Sequence, residues 1–289
     1  MRGGWPRNWN AFAVPLSNIQ ADVLQILATR RNPESYVAGA TPLNRDALRF
    51  SQDIDLFHDR EERVALTAEE DRLALRAAGY QVTWLRRLPA VYTAEVRKGE
   101  VSARLEWVVD SDFRFFPTIE DDVFGFVLHP VDLAINKVMA AAGRREVRDL
   151  VDLTTIHETI LPLGALVWAA VEKSPGFTPE GLIAEIRRNI HHPNAEWASL
   201  SASDTLDPRD ITNRVRAALD QAEAFVRRMP TDKLGVLFLE GGIVVQPDPD
   251  RLADYTMHAG ARRGHWPSDP EIMTAMMDAI VGSRRRRIT

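Results

Sequence analysis

A chain of 289 residues, 45% hydrophobic and 27% charged, has the makeup of an ordinary soluble protein and is long enough to bury a large core without covalent staples. Its 36 Lys and Arg against 41 Asp and Glu give a net charge of −5, which excludes a uniformly basic nucleic-acid binder but leaves room for a local basic groove. The absence of cysteine excludes disulfide frameworks, thiolate zinc sites and cysteine nucleophiles together. Residues 1–16 hold Trp5 and Trp9 but no apolar signal-peptide core, and the longest apolar run, 160–171, is interrupted by Pro162 and Gly164. That run is too short to span a bilayer. The expectation is a soluble, cytoplasmic protein with no membrane partner.

In chain order, Ser17 and Gln20 make a capping-box pattern beside Ile19, Val23, Leu24 and Leu27, predicting a helix from about 18 to 31 that Pro33 ends. Tyr36 to Gly39 reads as a short strand stopping at a glycine, and a short helical segment around 42–48 leads to a strand over Asp53 to Phe57. Thr67 and Glu70 form a second capping-box pattern, with Gly79 as a stop, so 68–78 is expected to be helical. Alternating segments at 81–85, 91–97 and 101–109, with Lys98-Gly99 as a turn, predict strands and a hairpin. From Pro130 the apolar period changes to that of helices, one reaching Gly143 and a second running through Val147, Leu150 and Leu153. Further helix starts share one device, a capping residue followed by proline, at Thr178-Pro179, Asp207-Pro208, Asp248-Pro249 and Asp269-Pro270. Residues 235–245 read as a hairpin turning at Gly241-Gly242. The fold class is therefore α+β: a small mixed sheet flanked by helices over 17–155, then a mostly helical region over 156–289.

The chemistry concentrates in Gly39 to Phe57. Asp53 and Asp55 lie two apart on a predicted strand and so share a face, while Ile54 and Leu56 point the other way into the core. Paired carboxylates suit a hard divalent cation such as Mg²⁺, which prefers carboxylate, water and phosphate oxygens; two solvated acids on an exposed strand are the bland alternative. Gly39 ahead of them permits close backbone approach, and Thr41 and Ser51 supply hydroxyl donors for phosphate. On the 101–109 strand, Glu106 is a lone acid in an apolar run, a costly placement unless it is paired, for instance with Arg104, or binds metal. Asp110 and Asp112 follow in a polar tract. Further on, Lys137 sits among Ala134, Ile135, Val138 and Met139, and Asp149 and Asp152 share a helix face near Arg145 and Arg148. A helix hairpin laced with salt bridges accounts for that block as well as a site does.

These residues resemble a known pattern. Gly39-Ala40-Thr41, then Arg49-Phe50-Ser51-Gln52-Asp53-Ile54-Asp55, looks like the nucleotidyltransferase signature of a Gly-Gly or Gly-Ser pair followed by Asp-x-Asp, with twelve residues between Ala40 and Asp53. Lys137 with Arg148-Asp149 and Asp152 matches the later block of the AbiEii-type nucleotidyltransferase toxins, a DNA polymerase beta-like superfamily. Ala40 departs from the signature, so a contact there falls to backbone or to Thr41.

The resemblance implies transfer of a nucleotidyl group from an NTP with one or two Mg²⁺ ions. It implies metal ligation by Asp53, Asp55 and a third carboxylate, Glu106 ahead of Asp110 or Asp112. Nucleotide contacts would come from Gly39, Thr41, Ser51, Lys137, Arg148, Asp149 and Asp152. The acceptor it implies is a nucleic-acid end of the tRNA kind or a protein hydroxyl, and a toxin of this kind has a protein antitoxin. Paired arginines at 30–31, 86–87, 144–145, 187–188 and 227–228 would form a basic patch if they converge. Two other readings stand beside it: a catalytically silent nucleotide-binding or antitoxin-docking module, which Ala40 favours, and a small-molecule (antibiotic-type) nucleotidyltransferase.

Overall fold

Strict alternation along Asp53–His58 builds the centre of the molecule: Ile54, Leu56 and His58 are buried, while Asp53, Asp55 and Phe57 are half-buried on the other face. The computed structural model describes residues 16–43, 51, 53–111, 113–174, 176–200 and 206–262. The first half holds α1 (Asn18–Ala28), β1 (Ser35–Ala38), β2 (Asp53–His58), α2 (Glu61–Ala77), β3 (Gln81–Leu88), β4 (Val91–Lys98) and β5 (Val101–Val109), then the short strands β6 (Phe113–Arg114), β7 (Ile119–Asp121) and β8 (Gly125–Val127). A seven-stranded mixed sheet follows the order β3-β4-β5-β2-β1-β8-β7. Within it β2 runs antiparallel to β1 and parallel to β5, so that Ala38 pairs with Asp55 and Asp55 with Glu106.

One face of this sheet is apolar and covered. Ile54, Leu56, Leu105 and Trp107 pack with Val23, Leu24 and Leu27 of α1 and Val64, Ala68 and Leu75 of α2. Under that layer Arg31 donates to both oxygens of Asp71 at 2.6 Å, and Trp107 Nε1 donates to the same carboxylate at 2.8 Å. Arg31 is thereby taken out of any surface basic patch. The helix α1 carries its Ser17 capping box and ends at Ala28, and the Gly79 stop is present with φ +86°. The expected 68–78 helix needs correction. It begins at Glu61, so Thr67 is a buried interior residue rather than a cap; Glu61 and Glu62 in the first turn favour the start through the helix dipole, without a side-chain cap at Arg60. The segment around 42–48, Asp112 and Asp269-Pro270 lie outside the described residues, wholly or in large part.

His58 is buried behind the same strand, its Nε2 at 3.1 Å from Ser35 Oγ. Burial, seconded by the Arg31 charge, lowers its pKa to about 4. An unfolded histidine titrates near ~6.5, so the unfolded chain takes up this proton first as pH falls. The stability tied to a neutral His58 is therefore complete above pH ~6.5 and is lost as pH falls toward 4, by about 2 kcal/mol at pH 5. Chemical denaturation of wild type and His58→Gln at pH 7 and pH 5 checks this: the variant's acid penalty should be smaller by about that amount.

The second half is helical: α3 (Pro130–Gly143), α4 (Val147–Thr159), α5 (Leu163–Lys173), α6 (Pro179–Asn189), α7 (Asn194–Ala198) and α8 (Pro208–Arg228), followed by strands β9 (Leu237–Glu240), β10 (Ile243–Val245), β11 (Thr256–His258) and β12 (Ala261–Arg262). Thr178 and Asp207 cap α6 and α8 as the capping residue–proline pattern requires; Asp248 also caps, but the segment it opens, 249–254, is a 3-10 helix. Apolar α5 lies at the centre, packed against α3 and α8, and one core joins all of these helices. Asp132 in the first turn of α3 accepts hydrogen bonds from the backbone N–H groups of Phe115 (2.8 Å) and Phe116 (3.0 Å), which pins α3 to the tract following β6. Among the described residues no single helix is long and apolar enough to cross a membrane.

Candidate active site

The uncovered face of β2 and β5 and the hairpin of α3 and α4 enclose a cleft of about 550 Å³. On the sheet wall the parallel register stacks Asp53 beside Arg104, Asp55 beside Glu106, and Phe57 beside Val108. On the helix wall Leu133, Asn136, Lys137 and Ala140 recur along one side of α3, followed by Arg144, Glu146 and Arg148 at the hairpin turn. Gly39, Ala40 and Ser51 also line it, and Ser199 and Leu200 come from beyond residue 155. The cleft is graded. Phe57, Val108 and Leu133 make an apolar end, the acids and Lys137 hold the middle, and Arg104, Arg144 and Arg148 belong to the charged part.

Gly39 has φ +71°, and a Cβ built on it would lie 1.8 Å from Asp55 Oδ2 and 2.7 Å from its Cγ. Only a glycine lets the chain leaving β1 lie against that carboxylate. Gly39→Ala should therefore displace Asp55 and strain the backbone by about 1–2 kcal/mol, so its stability loss should be modest and its activity loss far larger. Parallel melting and turnover measurements test that split.

The Asp55 carboxyl titrates at about 6, raised first by burial and further by Glu106 and Asp53, against the opposing pull of Lys137 and Arg148. Lys137 is held in turn. Its Nζ lies 2.7 Å from Asp152 Oδ2, with the two side chains 9% and 1% exposed. One turn earlier on α4, buried Asp149 accepts from Arg144 Nε at 2.8 Å and Nη2 at 2.9 Å, a bidentate pair. Asp149 and Asp152 thus stand behind the cleft wall and orient two of its cations.

The structure brings Asp53, Asp55, Glu106, Lys137, Gly39, Ser51 and Arg148 to the one cleft. It does not bring Thr41 there: that hydroxyl is buried and donates to the Asp53 carbonyl oxygen at 2.7 Å, and Ser51 Oγ donates to the same oxygen at 2.9 Å. Both hydroxyls brace the backbone of the first acid. Asp110 is also elsewhere, accepting from Tyr36 Oη at 3.3 Å and lying 3.5 Å from Lys173 Nζ. Of the paired arginines, Arg187 bonds Asp220 and Glu223, Arg227 bonds Glu223 and Arg145 bonds Glu196; only Arg144 lines the cleft. Asn136 and Arg104 are cleft residues without a motif to announce them.

Three carboxylates suit Mg²⁺ in donor type, and Glu106 and Asp53 add to the burial that raises the Asp55 pKa. The expected convergence is looser than a finished cage: among the described residues no group of three or more His, Asp or Glu side chains is gathered to hold a metal ion. Glu106 is drawn aside, its Oε2 at 3.4 Å from Thr93 Oγ1 and 3.7 Å from Arg104.

This mixed sheet, with its acids on the face that borders the cleft and helices packed on the other, is a nucleotidyltransferase-type α+β fold. The chain is similar to MenT4, a nucleotidyltransferase toxin from Mycobacterium tuberculosis H37Rv, with a TM-score of 0.50 and 19% identity over 74% of this chain and 83% of that one. It is also similar to JHP933 from Helicobacter pylori, with a TM-score of 0.46 and 16% identity over 74% of this chain and 95% of that one. At these identities the likeness is one of fold. No family model and no curated protein matches the chain.

Proposed function

We propose that the protein is a Mg²⁺-dependent nucleotidyltransferase, acting in the cytoplasm as the toxin of a toxin–antitoxin pair. The observation that carries this reading is the placement of Asp53, Asp55 and Glu106 on one wall of a cleft with Lys137 facing them. Residues 17–155 are the transferase core, and 156–289 are a mostly helical C-terminal region, whose described helices pack on α3 and α4. In the reaction an acceptor hydroxyl attacks the α-phosphorus of an NTP and releases its proton to solvent, the new oxygen–phosphorus bond forms, and pyrophosphate leaves with the broken bond's electrons. Asp53 and Asp55, with Glu106 as third ligand, would hold one or two Mg²⁺ ions, which supply charge neutralisation for the attack and the leaving group.

The protein's own groups do the rest. Gly39 and Ser51 border the phosphates, with Thr41 acting behind them on the Asp53 backbone. Lys137 and Arg148 offer positive charge as negative charge builds on the leaving pyrophosphate. Asp152 aims the Lys137 ammonium, and Asp149 fixes Arg144. The acceptor is a nucleic-acid end of the tRNA kind or a protein.

Incubation with each labelled NTP, bulk tRNA and Mg²⁺ tests the reading. Label in RNA or on protein supports transfer and names the acceptor. Label that stays in free nucleotide with all four NTPs, while metal-dependent NTP binding still raises the melting temperature, would identify a silent binding module instead.

A further inference from the structure

The apolar end of the cleft holds one polar group whose orientation is settled by a neighbour. Asn136 stands one turn after Leu133 on α3 and lines the same cleft. Leu133 belongs to the small cluster on which Phe57 packs, so this amide faces a space with apolar walls. From α5, Lys173 Nζ donates to Asn136 Oδ1 at 2.6 Å. The Lys173 side chain is only 8% exposed and lies 3.5 Å from Asp110, which also accepts from Tyr36 Oη. An ammonium group can donate and never accept. The amide oxygen must therefore face Lys173, and the amide NH₂ must point away from it. Among the described residues none accepts from that NH₂. The cleft thus presents a donor of fixed direction beside the apolar side chains of Phe57, Val108 and Leu133.

We propose that Asn136 is a specificity-determining residue of the nucleotide site, donating from Nδ2 to a ring carbonyl oxygen of the base, with Lys173 as its positioning residue. The inference rests on the nucleotidyl-transfer reading and deepens it. A ribose has hydroxyls on a polar ring and gains little from Phe57, Val108 and Leu133, whereas a base has apolar faces and a polar edge. A donor held by Lys173 cannot turn its oxygen toward an exocyclic amino group. Uracil, cytosine and guanine each project a carbonyl oxygen from the ring, whereas adenine offers this donor only recessed ring nitrogens and carries an amino group, a competing donor, beside N1 and N7. The site therefore favours a carbonyl-bearing base over the adenine of ATP.

The test measures dissociation constants of ATP, CTP, GTP and UTP with Mg²⁺ for wild type, Asn136→Asp, Lys173→Met and Lys173→Arg, with a melting temperature for each. Wild type should bind at least one carbonyl-bearing nucleotide about 10-fold more tightly than ATP, the worth of one well-placed hydrogen bond plus an unmet donor. Asn136→Asp keeps a partner for Lys173 but replaces the donor with an acceptor, so the preference should vanish or invert. Lys173→Met frees the amide to rotate and should erode the preference, while Lys173→Arg, which can still donate, should retain it. Equal weakening of all four nucleotides in Asn136→Asp would mark a charge effect on the triphosphate and overturn the proposal. So would a wild type that binds ATP as tightly as the others. A wild type that binds none of the four removes the nucleotidyltransferase reading itself, and this inference with it. If Lys173→Met does not fold, Asn136→Asp and Lys173→Arg decide the matter alone.

Discussion

Asp55→Asn should abolish nucleotidyl transfer and raise the melting temperature of the metal-free protein. The two effects share a cause. The Asp55 carboxylate is pressed against the Gly39 backbone, sits between Asp53 on its own strand and Glu106 on the next, and titrates at about 6 rather than near the usual carboxylate value. At neutral pH its ionised form costs folding energy that an amide of the same shape does not. In the proposed reaction the same carboxylate is the middle one of the three that would hold the metal. An amide carries no charge to balance a cation, so turnover should drop below detection. Melting curves in chelator and turnover at saturating NTP and Mg²⁺ make the comparison. A variant that is both inactive and less stable would mean that Asp55 serves the fold through Lys137 rather than the reaction.

The parts of this site that can be read in the amino-acid order are those with local periodicity. Asp53 and Asp55 declare their shared face because a strand repeats every two residues and Ile54 and Leu56 must go inward. The α3 and α4 hairpin declares itself through helical spacing and the Pro130 start. What escapes such reading depends on partners far away in sequence. The direction of the Asn136 amide is set by Lys173, and the target of the Thr41 hydroxyl is set by how the chain returns to Asp53. A hydroxyl near a glycine looks the same whether it serves phosphate or a carbonyl oxygen. The start of α2 is hidden for a different reason: Arg60 gives no side-chain cap, so the nearest capping-box pattern, Thr67 with Glu70, marks the wrong turn.

Lys137 is where two readings of one residue meet, and its substitution carries the second large effect. From sequence alone it is either a salt-bridge lysine or a cleft cation. The structure gives it both characters: Nζ is 2.7 Å from Asp152 Oδ2, and its charge pulls the Asp55 pKa down across the cleft. Lys137→Ala should therefore lose stability as well as activity, because removing one partner of a buried ion pair costs on the order of 3–5 kcal/mol. Loss of turnover in that variant would not be decisive. Lys137→Ala combined with Asp152→Asn removes the stranded charge, so much of the stability should return. If Lys137 acts on charge developing at the leaving phosphates, turnover should stay about 10²–10³ below wild type in this double variant. Lys137→Arg keeps the charge and a donor for Asp152, so it should fold well; its planar fork replaces a compact ammonium in a tight wall and should rescue turnover poorly. Melting temperature and turnover for the four proteins with the same NTP separate the roles. Recovery of turnover together with stability in the double variant would make Lys137 a scaffold residue and move the phosphate contact to Arg148.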